Sequence, residues 1–85
     1  MKLLYFAWLR TRIGKGEETL TPPIEIRTVS ALLDWLKAQS PGHAEALKNL
    51  DVIRVAVNQE HVPFDAPVGP NDEIALFPPV TGGSR

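Results

Sequence analysis

The chain passes from its last predicted strand into a tail within residues 71–83, which have the sequence NDEIALFPPVTGG. The run from Asp72 to Phe77 is short and apolar, as is typical of a strand. Pro78-Pro79 forms a stiff spacer, and Gly82-Gly83 forms a slim and adaptable tip. This shape suits a tail that enters another protein's active site, although the composition also fits a frayed terminus or a linker remnant.

Length and composition restrict the chain to one small domain of 85 residues, with 44% hydrophobic and 22% charged residues. A net charge of -1 provides no basic footprint and argues against a nucleic-acid partner. The absence of Cys excludes disulfides, thiolate metal sites and Cys nucleophiles. No stretch approaches the roughly 20 apolar residues of a membrane span. Arg10 and Arg12 follow the apolar start too soon for a signal peptide. We therefore expect no membrane association and a cytoplasmic location.

The first third of the chain predicts two strands. Residues 3–9 form an aromatic-rich apolar run and predict a central strand, because both alternating faces are apolar. Residues 10–16 contain two glycines and predict a turn. Residues 17–26 predict a second strand, and Pro22-Pro23 indicates that it lies at an edge of the sheet or is broken there, because proline cannot donate to a ladder.

The middle of the chain predicts one main helix. Thr28 is a candidate N-cap, and the helix should end before Pro41. Apolar residues then recur at the spacing of one buried helical stripe, at Val29, Leu32, Leu33 and Leu36. A short helical piece is predicted over 43–50, with Ala44 and Leu47 inward. Beyond it we expect a strand over 53–57, a polar turn at 58–60, a short strand at 61–62, an irregular loop over 63–71 and the last strand at 72–77.

An uncovered apolar sheet face is a second functional indication. One principal helix covers one face of a sheet, yet the first and last strands are apolar on both sides. Exposed apolar area of this kind usually marks a partner site. We therefore predict a docking surface near the tail that contains Phe6, Trp8, Ile74 and Phe77.

Three stretches resemble the ubiquitin-like sulfur-carrier family that includes the small subunit of molybdopterin synthase. Residues 4–10 with Gly14 resemble its first hairpin, and residues 55–60 resemble its third strand and turn. Residues 71–83 are similar to its final strand and tail. Asp-Glu, an apolar strand and Pro-Pro-Val-x-Gly-Gly form a specific combination, and the resemblance covers the whole chain.

The resemblance implies an α+β, β-grasp (ubiquitin-like) fold with a mixed four- to five-stranded sheet over residues 1–77 and a flexible tail over residues 78–85. It implies a sulfur-donor subunit that is not catalytic by itself. An adenylating, E1-like partner would use ATP and Mg²⁺, and this chain would bind no cofactor or metal of its own. The carrier would dock on the large subunit of molybdopterin synthase in a heterotetramer and donate sulfur to cyclic pyranopterin monophosphate.

The resemblance also implies roles for individual residues. Gly83 would be the acyl-adenylate and thiocarboxylate site, and Gly82 would let the backbone lie close to a narrow channel wall. Partner contacts would extend along the tail through Pro78, Pro79, Val80 and Thr81. In the family the second glycine is the last residue, whereas Ser84 and Arg85 follow here. They are removed by processing, or are additions to the native chain, or this form carries no sulfur.

Two alternatives stay open. The chain serves as a sulfur carrier in another pathway, such as thiamine synthesis or tRNA thiolation, or it is a ubiquitin-like binding module without acyl chemistry. His43 and His61 are isolated in the sequence and are interpreted as surface or turn histidines, since no second ligand stands at metal spacing. No nucleophile, base and orienting group converge visibly, so independent catalysis is not predicted.

Overall fold

A mixed five-stranded sheet is the framework of residues 1–79, the part of the chain that the computed structural model describes. The strands are β1 (Lys2–Tyr5), β2 (Glu17–Thr19), β3 (Arg54–Val57), β4 (Glu60–Val62) and β5 (Glu73–Phe77), in the order β2-β1-β5-β3-β4. The central pair β1 and β5 is parallel, and the other pairs are antiparallel. The α+β fold with a mixed sheet is as predicted, and β2 lies at an edge as Pro22-Pro23 indicated.

The main helix follows the predicted stripe. The helices are α1 (Trp8–Ile13), α2 (Val29–Lys37) and α3 (Pro41–Ala46), followed by a 3-10 turn at Leu50–Val52. Thr28 caps α2, because its Oγ1 accepts a hydrogen bond of 3.2 Å from the Ala31 N–H. The four predicted stripe residues of α2 are all buried. The N-cap, the stripe and the end of this helix before Pro41 are confirmed.

The core lies between the helices and one face of the sheet, which we call the inner face. Residues alternate between faces along a strand, and the buried ones on β1 are Leu3 and Tyr5. On β5 they are Ile74 and Leu76, and these pair with Leu3 and Tyr5 across the parallel register. The helices therefore cover only this face.

The strand predicted over residues 3–9 is wrong beyond Tyr5. The chain leaves β1 at Phe6, turns at Ala7 with a φ of 57°, and enters α1 at Trp8. Helix α1 also replaces most of the turn predicted over 10–16, and Gly14 ends it in the left-handed conformation with a φ of 97°. Leu9 and Ile13 are the buried residues of α1, one helical turn apart. The apolar run continues without a break across this boundary. The sequence therefore does not show where the two-residue period of a strand changes to the period of a helix.

Two other element boundaries differ from the predictions. Strand β2 ends at Thr19 rather than Ile26, so residues 20–26 run into α2 without pairing as a strand. Helix α3 begins at Pro41 and not at His43, because Ser40 serves as its N-cap and proline is tolerated in the first helical turn. Leu47 is buried as predicted, whereas Ala44 is exposed.

The predicted polar turn forms a tight hairpin between β3 and β4. Asn58 and Gln59 both have positive φ, 52° and 71°, which is the backbone of a two-residue hairpin turn. The Asn58 N–H donates to the Glu73 carbonyl at 2.7 Å, and the Asn58 Oδ1 accepts from the Glu73 N–H at 3.0 Å. The asparagine thus ties the turn to the start of β5.

Candidate functional site: the tail root and the uncovered sheet face

The tail leaves the molecule from the middle of the sheet. Strand β5 lies between β1 and β3, and Phe77, its last residue, pairs with Arg54 at the start of β3. On the other side, the Phe6 N–H donates to the Leu76 carbonyl at 3.1 Å. Pro78 and Pro79 follow directly and are half-buried. The point of departure, which we call the tail root, is therefore fixed by two neighbouring strands.

A patch of apolar side chains extends from the tail root over the middle of the sheet face opposite the helices, which we call the outer face, and the charged residues Glu17 and Arg54 border it in the register. Strand alternation places Leu4, Ala75 and Ala56 side by side across three strands, and all three are only partly buried. His61 lies beside Ala56 in the register. Its ring lies 5.2 Å from the Phe77 ring, centroid to centroid. No helix covers this surface in the described part of the chain.

The predicted partner residues divide between three places. Phe6, with 49% of its surface exposed, and half-buried Phe77 lie at the tail root. Ile74 is fully buried on the inner face, so its placement on the docking surface was wrong. It alternates with Ala75, which occupies the outer face instead. Trp8 is not on the sheet; it lies on α1, half-buried, with the Arg12 Cζ at 4.9 Å from its ring centroid.

The tail residues predicted to carry the chemistry lie outside the described residues. Pro78 and Pro79 are the last two that the structure describes, while Val80, Thr81, Gly82 and Gly83 fall beyond them. Their predicted roles therefore stay predictions, and the geometry constrains the place from which the tail starts.

A polar cluster inside the molecule was missed by the sequence interpretation. His43 was expected at the surface or in a turn, yet it is only 4% exposed. Its Nε2 donates to the Glu18 Oε2 at 2.6 Å, and the Tyr5 hydroxyl donates to the same oxygen at 2.6 Å. Ser40 Oγ lies 2.7 Å from the His43 Nδ1. The cluster joins β1, β2 and α3, which are distant in sequence.

Electrostatics in this cluster favour a charged Glu18 and a neutral Tyr5. Burial acts to raise the pKa of Glu18, but the hydrogen bonds from Tyr5, His43 and Lys15 outweigh it, so the pKa is lowered. Burial and the neighbouring Glu18 carboxylate raise the pKa of Tyr5. A carboxylate oxygen can only accept, so the His43 Nε2 carries a proton.

The Ser40, His43 and Glu18 side chains resemble a nucleophile, base and acid in order, but the geometry assigns them a structural role. Ser40 Oγ accepts the His43 backbone N–H at 3.1 Å as the cap of α3. The His43 imidazole is enclosed, and it links the α3 cap to β2. The cluster therefore holds elements together.

Residues 1–79 contain neither a metal-binding cluster nor a membrane-spanning helix. No group of three or more His, Cys, Asp or Glu side chains is arranged there to hold a metal ion. None of the helices described in that range has the length and apolar character that crossing a bilayer requires.

Comparisons with known proteins place the chain in a family. The profile of the ThiS family matches residues 3–83. The molybdopterin synthase sulfur carrier subunit of Escherichia coli (strain K12) is 41% identical over 83 residues, which are 98% of this chain and 99% of that protein. The human protein of the same name is 34% identical and covers 98% of this chain and 93% of its own.

Solved structures share the fold. A putative molybdopterin converting factor, subunit 1, from Pyrococcus furiosus aligns with a TM-score of 0.74 and 29% identity, over 93% of this chain and 95% of its own. SAMP1 from Haloferax volcanii aligns with a TM-score of 0.72 and 30% identity, over 98% of each chain. The predicted β-grasp, ubiquitin-like fold is confirmed. With a family profile that matches nearly the whole chain and relatives above 30% identity, this protein belongs to the ThiS family of ubiquitin-like sulfur carriers.

Proposed function

We propose that this chain is a sulfur carrier of molybdenum cofactor biosynthesis and acts as the small subunit of a molybdopterin synthase. The observation that carries the proposal is the position of the tail. The central strand β5 runs directly into Pro78-Pro79, and the family match ends at Gly83, which is the second glycine of the tail. Relatives that carry this name align over nearly their full length, which supports the same function here.

The chemistry assigned to Gly83 is acyl activation followed by sulfur transfer. A carboxylate is a poor acyl donor until one of its oxygens becomes a good leaving group. We propose that an E1-like partner uses ATP and Mg²⁺ to join the Gly83 carboxylate to AMP, releasing pyrophosphate. Hydrosulfide released by a sulfur donor then attacks the acyl carbon, the bond to AMP breaks, and the products are a thiocarboxylate, AMP and a proton. The large subunit would direct that sulfur to cyclic pyranopterin monophosphate.

The residue types of the tail suit delivery into a buried site. Glycine at position 83 leaves the acyl carbon unhindered, and glycine at position 82 allows close approach of the backbone to a channel wall. The six residues from Pro78 to Gly83 span roughly 20 Å when extended. The tip therefore reaches well beyond the tail root while the domain stays at the surface of its partner.

We propose that the outer face and the tail root are the surface that docks on the large subunit. Leu4, Ala75 and Phe77 lie on the face that no described helix covers, and Phe6 is half exposed beside them. Burying such area on a partner is favourable by roughly 25 cal/mol per Å² before association costs are counted. Two carriers on a dimer of large subunits would form a heterotetramer, as in the family resemblance.

The first experiment determines the mass of the chain that carries sulfur. An amide at Gly83 cannot be adenylated as a carboxylate, so the active form should end at Gly83. The intact mass of the protein from its native cell should show that end, with a fraction heavier by the difference between sulfur and oxygen. A single species that retains Arg85 while molybdopterin is being made would contradict the proposal.

A matched pair of chains tests the function directly. One chain ends at Gly83 and the other at Gly82, and both are combined with the adenylating partner, a sulfur donor and the large subunit. The chain that ends at Gly83 should support molybdopterin formation, and the shorter one should not, although both unfold at the same urea concentration. Equal product from the two would refute the assignment of Gly83.

A binding module without acyl chemistry is the second candidate. A second solved structure of the Haloferax volcanii SAMP1, with a TM-score of 0.68 and 26% identity, bears the name small archaeal modifier protein 1, which describes a modifier and not a synthase subunit. The mass measurement separates the two, because a binding module has no reason to accumulate a thiocarboxylate at Gly83.

A further inference from the structure

A groove beside the tail root lies on the helical side of the molecule and was not anticipated by the sequence. Its walls come from α1, from α3 and from the segment that follows α3, and they are lined by Trp8, Arg12, Glu45, Ala46, Lys48, Asn49 and Val52. We call it the Trp8 groove. Its volume is about 470 Å³, enough for one or two side chains of a partner.

The groove is continuous with the proposed docking surface. Trp8 lies two residues after Phe6, whose N–H bonds to Leu76 near the end of β5. Val52 lies two residues before Arg54, which pairs with Phe77. Both walls of the groove therefore start from the strands that flank the tail root. A partner that binds the tail and the outer face would also contact the Trp8 groove, at the edge of the same interface.

Exposed apolar side chains are concentrated at this end. Among residues 1–79, three large hydrophobic side chains are exposed, namely Phe6 at 49%, Val52 at 38% and Ile24 at 76%. Phe6 directly follows β1, and Val52 ends the 3-10 turn that precedes β3, so both lie next to the strands that flank the tail root. Ile24 lies beside Met1 and Pro70, which border the opposite ends of β1 and β5. The groove thus has an apolar wall suited to a side chain, and Ile24 provides a distant comparison.

The charged side chains of the groove indicate the charge of the partner group that would bind there. Helix α1 contains Arg10 and Arg12 but no acidic residue. In the described part of the chain no carboxylate lies within ion-pair distance of Arg12. Glu45, which also lines the groove, is paired with Lys48, and Lys48 and the more distant Arg12 charge both lower its pKa. The Arg12 guanidinium lies at cation–π distance from Trp8, with its Cζ 4.9 Å from the ring centroid. Its N–H donors lie in the plane of the group and remain able to bind a carboxylate in a two-pronged contact.

The groove is rigid enough to select a partner. Helices α1 and α3 are packed so closely that a Cβ on Gly42 would lie 2.6 Å from the Arg12 carbonyl oxygen. Only glycine permits this approach. Leu9 and Ile13 anchor α1 in the core at the same time. The Trp8 and Arg12 side chains therefore project from a fixed backbone. Binding a partner then costs less conformational entropy.

We infer that the Trp8 groove binds an apolar side chain with a neighbouring Asp or Glu on the large subunit of the synthase. This inference rests on the proposed function and extends the proposed docking surface from the sheet onto α1. The apolar side chain packs between Trp8 and Val52, and the carboxylate accepts hydrogen bonds from Arg12. The contact orients the carrier about the axis of its tail, which the tail alone cannot do.

The test measures the affinity of the full chain for the large subunit. Val52→Glu and Arg12→Glu should each weaken binding by at least about tenfold, because each puts a carboxylate opposite the partner's own. Arg12→Lys should weaken it by less, since the charge remains and the planar fork is lost. Ile24→Glu, the matched control at the other end, should bind like the wild type. Urea unfolding checks that each variant is folded.

The outcomes separate this inference from the proposed function. If Val52→Glu and Arg12→Glu bind within about twofold of wild type while Phe77→Ala binds weakly, the groove lies outside the interface and the docking of the outer face stands. If Phe77→Ala also binds like wild type, the proposed docking surface fails as well. If the groove variants lose the adenylating partner and keep the large subunit, the occupant assigned here is wrong.

Discussion

The two faces of the sheet differ in how far their side chains are buried. On the inner face Ile74 and Leu76 of β5 are buried beneath the helices, whereas on the outer face Ala75 and Phe77 of the same strand stay partly exposed. The residues are neighbours in sequence and similarly apolar, so hydrophobicity does not distinguish them. Only the direction of the side chain does. The comparison separates residues that stabilise the fold from residues available to a partner.

The largest expected effect tests the inner face. Ile74→Ala removes a fully buried side chain and should lower the free energy of unfolding by about 2–5 kcal/mol, because a cavity is left in the core. Urea denaturation measures it. The large subunit should bind whatever fraction remains folded with unchanged affinity. A loss below about 1 kcal/mol would mean that the inner face is not the closed side of the sheet.

The second effect tests the outer face. Phe77→Ala should weaken the complex with the large subunit by about tenfold to a hundredfold, since aromatic side chains near the centre of an interface carry much of the binding energy. Its cost to stability should be clearly smaller than that of Ile74→Ala, because Phe77 is half-buried. Titration calorimetry and urea unfolding provide the two values. Unchanged affinity in a folded variant would remove Phe77 from the docking surface.

The third effect contrasts two glutamates of β2 that face opposite ways. Glu18 accepts hydrogen bonds from Tyr5 and His43, while Glu17 is exposed and pairs with Leu4 in the register. Glu18→Gln should cost about 1–3 kcal/mol near neutral pH, because a charge-assisted buried contact is lost. Glu17→Gln should change stability by less than about 0.5 kcal/mol. Equal losses of unfolding free energy in the two variants would show that the hydrogen bonds of Glu18 do not stabilise the fold.

The pH dependence of the free energy of unfolding should also distinguish the wild type from Glu18→Gln. The folded pKa of Glu18 is lowered from its usual 4.5, so the folded state favours the carboxylate. This contribution is fully present above 4.5 and is lost as the pH falls through the lower, folded value. The free energy of unfolding of the wild type should therefore fall in acid more steeply than that of Glu18→Gln. Parallel curves for the two proteins would contradict the lowered pKa.

The smallest expected effect concerns the residue between the sheet and α1. Ala7 has a φ of 57°, a conformation that is costly for any residue with a Cβ. Ala7→Gly should raise the free energy of unfolding by about 1 kcal/mol. Ala44→Gly, in an exposed position of α3, is the control and should lower it by roughly 0.5–1 kcal/mol. A loss in both variants would show that Ala7 is not strained.

Local patterns predicted much of the fold because their causes are local. The stripe of α2 and its Thr28 cap depend on residues within two helical turns, and the Asn58 turn depends on two positions. The second strand was expected at an edge or broken at Pro22-Pro23, and β2 is an edge strand that ends at Thr19, before the prolines. Helix α1 could not be predicted in this way, because the apolar run through Leu9 continues unbroken across the change from strand to helix at Ala7.

The residues of the candidate site also divide into those that local patterns predicted and those that they did not. The tail glycines were singled out from composition and resemblance, and the exposed Phe6 and half-buried Phe77 were singled out because the first and last strands are apolar on both sides. The assignment of Ile74 to the wrong face and the omission of Ala75 followed from a pattern that is apolar on both sides and cannot specify which side the helices cover. The bond between His43 and Glu18 joins residues 25 apart in sequence, and no local spacing indicates it.

The sequence by itself determined the main helix, the strands at both ends of the domain and a Gly-Gly motif in the tail that follows the last strand, because these depend on side-chain volume, backbone freedom and spacing along the chain. Only the tertiary structure decided that Ile74 is core and Ala75 is surface, that Trp8 and Arg12 form a groove beside the tail root, and that His43 is buried. Those outcomes depend on which elements pack together, and packing brings into contact side chains that the chain itself keeps far apart.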